Sequence, residues 1–156
     1  MTAPPAAPPL VARLRLPAPV AARIRDHARA TSPDECCGFL LGTLDDRMAS
    51  VREAARALNR ETVAPGGQGR SRFEIAPSDV VAAHREAARR GLAVVGYYHS
   101  HPRGQARPSA RDELLAWAGL VYLIVGKDGA LRAFVSATLG GRLEEIALER
   151  EGEDAA

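Results

Sequence analysis

The 156-residue sequence predicts an α+β fold, an α/β sandwich in which a curved, mixed and mostly antiparallel sheet is flanked by helices. Short apolar runs typical of strands outnumber the segments with helical periodicity and mix with them irregularly. The length and the 46% content of hydrophobic residues fit one globular domain that buries its own core. We therefore expect a single domain over residues 10–148, between a disordered Pro/Ala-rich segment at 1–9 and a frayed acidic segment at 149–156.

The elements of the first half follow from periodicity and from residues that break regular structure. Residues 11–16 alternate apolar and basic side chains, which is typical of an edge strand, and residues 17–30 repeat apolar side chains with helical spacing. Pro33 ends that helix, and the apolar run at 36–41 predicts a central strand that is buried on both faces. The two aspartates after this strand favour a hairpin turn. The alanines and arginines of residues 48–58 favour a helix by propensity, but the hairpin context favours a second strand, which we predict here.

The second half begins with a glycine-rich segment at 59–72, which predicts a mobile loop, and a short strand at 73–75. A Pro-Ser-Asp sequence then predicts the start of a helix over 79–90. The run at 92–98 is rich in β-branched and aromatic residues, which favours a buried strand over a helix. The remaining elements are predicted as a helix at 109–117 and strands at 120–125, 131–137 and 142–148.

The most informative stretch begins where the strand at 92–98 ends. Because residues two apart in a strand point to the same face, His99 and His101 project together while Ser100 points away. Ser109 is a predicted N-cap, and Asp112 lies over the same side of the first helical turn. Two imidazoles and one carboxylate leave a fourth position for water, which distinguishes a catalytic zinc site from a closed structural one.

Each of these residues also has a structural interpretation. A single histidine is more often a surface or core residue than a ligand, and an aspartate at a helix start usually interacts with the helix dipole. Their joint spacing favours the metal site. His27 has no such neighbours in sequence and is interpreted as a surface residue, and His84 falls outside the apolar face of its predicted helix and is interpreted as solvent-exposed. Cys37 is interpreted as a small buried apolar residue, and the role of Cys36 stays open.

The sequence His99-Ser100-His101 is followed, after seven residues, by Ser109 and, after two more, by Asp112. This spacing resembles the motif of the JAMM metalloproteases, also called MPN+ domains. Residues 33–42, PDECCGFLLG, resemble the stretch that carries the distant glutamate of many bacterial members, here Glu35. The resemblance covers residues 14–146. It implies a JAMM/MPN-like fold, which is of the cytidine-deaminase-like type.

The resemblance also implies a role for each motif residue. One Zn²⁺ would be held by His99, His101 and Asp112. Glu35 would act as the general base, and Ser109 would donate a hydrogen bond to the oxyanion.

The implied activity is a zinc metalloprotease or isopeptidase that cuts amide bonds after the C-terminal glycines of ubiquitin-like proteins. For bacterial stand-alone domains the implied substrates are sulfur-carrier proteins. Their extended tail would pair with an exposed strand edge near the metal. Arg70 and Arg72 are candidates for binding an acidic face of the carrier. The alternative is a non-catalytic MPN-type interaction scaffold, which is disfavoured because such scaffolds lack ligands that are all present here.

Composition excludes several other functions. The net charge is +2 and the arginines are scattered among acids, so we expect no nucleic-acid partner. The sequence has no apolar run long enough to span a bilayer, so we expect no membrane partner. Two adjacent cysteines cannot link distant parts of a fold, which favours the reducing cytoplasm. The oligomeric state stays open, with a homodimer as one possibility.

Overall fold

The computed structural model describes residues 10–152, and the predictions for residues 1–9 and 153–156 lie outside this part of the chain. Its strands are β1 (Arg13–Pro17), β2 (Cys37–Asp45), β3 (Met48–Ala57), β4 (Ala93–Ser100), β5 (Val121–Val125), β6 (Leu131–Val135) and β7 (Glu144–Glu151). Its helices are α1 (Ala18–Thr31), α2 (Arg60–Val63), α3 (Pro77–Arg89) and α4 (Ala110–Leu115). Between residues 10 and 152, no helix is long and apolar enough to cross a membrane.

The strands form one closed barrel in the order β1-β3-β2-β4-β5-β6-β7, and β7 returns to β1. Neighbouring strands are antiparallel at four of these interfaces and parallel at three, which confirms the mixed, mostly antiparallel sheet. The prediction that β1 is an edge strand is wrong, because β1 pairs with β3 on one side and with β7 on the other. Its alternating pattern reflects one face towards the core and one towards solvent, not an open edge.

Helices cover both faces of the central strand β2. Its Leu40 belongs to the main apolar cluster, which also contains Ile24 of α1. Its Phe39 and Leu41 belong to a second cluster with Ala87 of α3. The predicted burial of this strand on both faces is therefore confirmed, and each fully buried leucine or isoleucine stabilises the fold by about 1.5–3 kcal/mol.

The segment between β3 and α3 differs from its prediction. Residues 59–72, predicted as a loop, contain the short helix α2, and Asn59 caps it by accepting a hydrogen bond from the Glu61 backbone. Residues 73–75, predicted as a strand, are extended but belong to no strand. The physical reason is that the Glu74 backbone is paired with Asn59 and Arg60 of this same segment, not with a barrel strand.

The last strand is longer than predicted. β7 continues to Glu151, and its residues 147–151 pair in parallel with the whole of β1, so residues 149–151 are not frayed. Glu149 and Glu151 also form ion pairs with Arg13 and Arg15 of β1. Exposed pairs of this kind contribute only about 0–1 kcal/mol each, so the backbone ladder is the main reason for the extension.

His27 is the clearest correction to the histidine assignments. It was predicted to be exposed, but α1 turns it towards the sheet, where it is only 8% exposed and its Nδ1 lies 2.7 Å from the Tyr98 hydroxyl oxygen. Burial, with a smaller contribution from the charge of Arg56, lowers its pKa to about 4. His84 is exposed on α3, as predicted.

Candidate active site

The three predicted metal ligands meet at the end of β4. His99 Nε2 lies 3.2 Å from His101 Nε2 and 3.1 Å from Asp112 Oδ2, and His101 Nε2 lies 3.2 Å from the same carboxylate oxygen. The three atoms therefore form a nearly equilateral triangle. Tetrahedral zinc with bonds of about 2.0–2.1 Å separates its ligand atoms by about 3.3 Å, so this donor set fits a zinc ion.

His101 is oriented by the loop that follows β4. Its backbone N–H donates to the Val125 carbonyl at 2.8 Å, which keeps the residue beside the end of β5. Its Nδ1–H donates to the Gln105 carbonyl oxygen at 3.0 Å, so the lone pair of Nε2 faces the other two ligands. A ligating histidine commonly has a carbonyl partner of this kind, which sets both the tautomer and the ring orientation.

Asp112 is positioned by the first turn of α4. The Ser109 hydroxyl accepts from the Asp112 backbone N–H at 3.1 Å, and the Ser109 N–H donates to Asp112 Oδ2 at 2.9 Å. This capping box holds the carboxylate towards the histidines and leaves the Ser109 hydroxyl hydrogen available to a substrate. Burial alone would raise the pKa of Asp112, but hydrogen bonds from His101 and His99 outweigh it and hold the pKa well below its usual range. Asp112 is therefore ionised at neutral pH.

Glu35 lies beside this triangle, just before β2. It is only 5% exposed. One carboxylate oxygen of Glu35 and one ring nitrogen from each of His99 and His101 all lie within 4.8 Å of one another. Burial raises its pKa to about 7, opposed by the charge of His101 and reinforced by that of Asp112. A carboxylate with this pKa can both accept and return a proton near neutral pH.

Asn59 is a site residue that sequence reasoning missed. It is 4% exposed, and its Nδ2 donates to the carbonyl oxygens of Glu35 at 3.0 Å and Arg72 at 3.1 Å. Its Oδ1 accepts from the backbone N–H groups of Glu61 at 3.0 Å and Glu74 at 3.1 Å. One side chain therefore ties the candidate base to the wall of the site. A helix-capping asparagine was readable from the sequence, but its long-range partners were not.

A groove of about 520 Å³ is lined by two of the predicted ligands, His99 and Asp112. Its lining includes the extended stretch of residues 72–75, which we call the groove segment, and the exposed side chains of Leu114, Leu115 and Trp117. Arg72 lines the groove, whereas Arg70 is exposed outside its lining. The two predicted carrier-binding arginines therefore occupy different positions relative to the site.

Comparison with known proteins agrees with this geometry. The family described as prokaryotic homologs of the JAB domain matches residues 17–137, a span that includes all five motif residues. The desampylase of Haloferax volcanii is 36% identical over 126 residues, which cover 78% of this chain and 86% of that protein. The probable TtuB-protein conjugate cleaving protease of Thermus thermophilus is 32% identical over 111 residues, covering 71% of this chain and 68% of that protein.

A solved structure gives the same result for the fold. The solution structure of a protein from Desulfitobacterium hafniense superimposes with a TM-score of 0.76 at 27% identity, covering 90% of this chain and 94% of that one. Sequence, site geometry and fold thus agree, and the chain belongs to the family of prokaryotic homologs of the JAB domain, with a JAB/MPN fold.

Proposed function

We propose that this protein is a zinc-dependent metallopeptidase that hydrolyses amide or isopeptide bonds after the C-terminal glycines of ubiquitin-like proteins, with sulfur carriers as substrates in the cytoplasm. The observation that carries the proposal is the triangle of ligand atoms from His99, His101 and Asp112 beside the buried Glu35. The names of the relatives, a desampylase and a protease of TtuB conjugates, support a ubiquitin-like substrate.

The chemistry divides between the metal and three side chains. When bound, zinc supplies a Lewis acid that polarises a carbonyl and lowers the pKa of water to about 7. Glu35 takes the proton from the attacking water and returns it to the departing amine. The Ser109 hydroxyl donates to the developing oxyanion, a contribution typically of about 10²–10³-fold in rate. Asp112 stays ionised and balances positive charge in the buried site.

The groove segment offers the strand edge that an extended tail needs. The strand order closes, but β1 pairs with β3 only over residues 48–50. Residues 51–57 of β3 therefore have no strand partner on that side in the described part of the chain, and none of them lines the groove. In the groove segment, the Glu74 backbone faces Asn59 and is fully paired. The backbone groups of Phe73 and Ile75 have no hydrogen-bond partner among residues 10–152. Because successive residues of an extended chain face opposite sides, these groups point away from Asn59 and can pair with a tail.

The test is cleavage of a sulfur carrier extended after its terminal Gly-Gly by a short peptide. Zinc-loaded protein should release the peptide at that bond, as read by intact mass, and should leave casein uncut. His101→Ala should lose both the zinc and the cleavage, because it removes one corner of the ligand triangle. Binding of the carrier without cleavage by the zinc-loaded protein would favour the scaffold interpretation. Equal cleavage of casein and carrier would indicate a general peptidase.

A further inference from the structure

We propose that Phe73 is a positioning residue that holds His99 in the orientation required for zinc, and that it transmits binding in the groove to the metal site. The first part rests on the packing around His99 alone. The second part rests on the proposed function, because that function identifies the groove ligand as an extended protein tail.

His99 lacks the hydrogen bond that usually orients a ligating histidine. The side chain is completely buried, and its Nδ1 has no hydrogen-bond partner in the described part of the chain. His101 differs, because its Nδ1 is held by the Gln105 carbonyl. An unanchored imidazole can rotate about its side-chain torsions, so another contact must restrain the His99 ring.

Phe73 provides that restraint. Its ring stacks on the His99 imidazole with centroids 4.7 Å apart and an interplanar angle of 28°. The ring of His101 meets His99 edge-on at 4.9 Å, so a second aromatic contact completes the packing. Aromatic pairs of this kind contribute about 0.5–1.5 kcal/mol beyond simple burial, which corresponds to about 2- to 10-fold in an equilibrium constant.

The position of Phe73 itself depends on the groove. Phe73 belongs to the groove segment, which lies outside the barrel, and its own backbone groups are unpaired among residues 10–152. Its neighbours Arg72 and Glu74 are tied to Asn59, so the segment is held along one edge only. A tail that pairs with the free edge would fix the Phe73 backbone and thereby its ring. Binding in the groove would then stabilise the orientation of His99.

Thermodynamic linkage makes this effect reciprocal. If tail binding favours the His99 orientation that holds zinc, then zinc must favour tail binding by the same factor. Coupling between two sites is typically about 5- to 150-fold. Because the coupling passes through the Phe73–His99 contact, we expect a groove ligand to raise zinc affinity by no more than about 2- to 10-fold, and zinc release to slow accordingly.

The first experiment measures the rate of zinc release to a fluorescent chelator without any carrier. Phe73→Leu, which removes the stacked ring but keeps an apolar side chain, should release zinc about 2- to 10-fold faster than the original protein. Phe73→Tyr should restore the slow rate, because it keeps the ring. Phe134→Leu is the matched control, since this phenylalanine is buried in a different cluster with Tyr122 and Ile124. It should lower thermal stability and leave zinc release unchanged. Equal release from the Phe73→Leu variant and the original protein would overturn the proposal.

The second experiment repeats the measurement with a sulfur carrier that has a free Gly-Gly terminus, and carrier binding is monitored separately by fluorescence anisotropy. Carrier should slow zinc release from the original protein and not from Phe73→Leu at a saturating concentration. Equal slowing in both proteins would mean that the carrier acts on zinc directly and would overturn the transmission role. Failure of the carrier to bind either protein would contradict the proposed substrate, while the first experiment would still decide whether Phe73 positions His99.

Discussion

Glu35 is close enough to the two histidines to act either as a metal ligand or as a proton acceptor, and these two roles must be distinguished. Its carboxylate is near both histidines, but its backbone is held by Gly69 and Asn59, away from the capping box that positions Asp112. It therefore enters the site from a different element than Asp112, the third proposed ligand. Substitution of this residue separates the two roles.

We expect Glu35→Gln to keep its zinc and to lose about 10²–10⁴-fold in turnover, because the amide preserves size while removing the proton acceptor. Zinc content by elemental analysis and cleavage of the carrier fusion are measured on the same preparation. Loss of zinc together with activity would make Glu35 a ligand, and full activity would remove it from the mechanism.

His27 gives a pH-dependent contribution to stability. Its folded pKa of about 4 lies below the ordinary value of 6.5, so the unfolded state binds the proton more tightly. The free energy of unfolding should therefore be highest above pH 6.5 and should fall by up to ~3 kcal/mol as the pH drops towards 4. Urea unfolding at several pH values measures this.

The matched variant for this measurement is His27→Asn, which keeps a polar group near the Tyr98 hydroxyl but does not titrate. The proposed zinc ligands are common to both proteins, so the difference between the two curves isolates His27. Parallel curves between pH 4 and 6.5 would show that His27 is not the source of the pH dependence.

At the scale of elements, Asn59 links the start of β2, helix α2 and the groove segment. Asn59→Ala should lower the free energy of unfolding by about 1–3 kcal/mol, because it leaves buried backbone groups without partners. It should also reduce turnover while zinc content stays unchanged, since none of the three ligands is bonded to Asn59.

Gln68→Ala is the control for Asn59, because Gln68 carries an exposed side-chain amide in the same connection between β3 and α3. It should behave like the original protein in both unfolding and cleavage assays. If Asn59→Ala also retained full turnover, the link between Asn59 and the position of Glu35 would be wrong.

The elements that could be predicted were those defined by short-range pattern. The pair His99 and His101 follows from strand alternation, and the relation of Ser109 to Asp112 follows from one helical turn. The links that were missed join residues far apart in sequence: Asn59 lies 24 residues from Glu35, and His27 lies 71 residues from Tyr98. Helix and strand periodicity relate residues that are only a few positions apart in sequence. Contacts across such long separations can therefore be identified only once the strand pairing is known.

At the scale of the whole molecule, the α+β class followed from composition and pattern, but closure of the barrel did not. Closure requires the first and last strands to pair, and the alternating pattern of β1 is the same whether one or both of its edges are occupied. The family resemblance added the fold type and is confirmed by the match over residues 17–137. The position of the groove segment outside the barrel could not be derived from its β-like composition.

Recognition of a folded carrier should depend on charge around the groove. Replacing Arg70 and Arg72 together with alanine should raise KM for a carrier fusion by about 2- to 10-fold with little change in kcat, because exposed charges contribute about 0.2–1 kcal/mol each. The increase should shrink at high salt, which screens such interactions. Steady-state kinetics at two ionic strengths measure both effects.

The double replacement of Arg52 and Arg85, which are exposed on β3 and α3 away from the groove lining, is the charge-matched control. It should leave KM unchanged. A similar rise in KM for both double variants would mean that overall charge, and not a local contact, governs the encounter with the carrier.

Barrel closure also affects the risk of aggregation that comes with an exposed, unpaired backbone edge. Open strand edges are templates for aggregation, and the pairing of the first and last strands removes both of them from the edge of the sheet. Within the groove segment, the unpaired backbone groups belong to Phe73 and Ile75, a run shorter than the five or six residues of an ordinary strand. Two copies would gain too few hydrogen bonds there to join edge to edge. The groove segment would thus offer a pairing edge to the proposed tail while giving a second copy of the chain little to pair with.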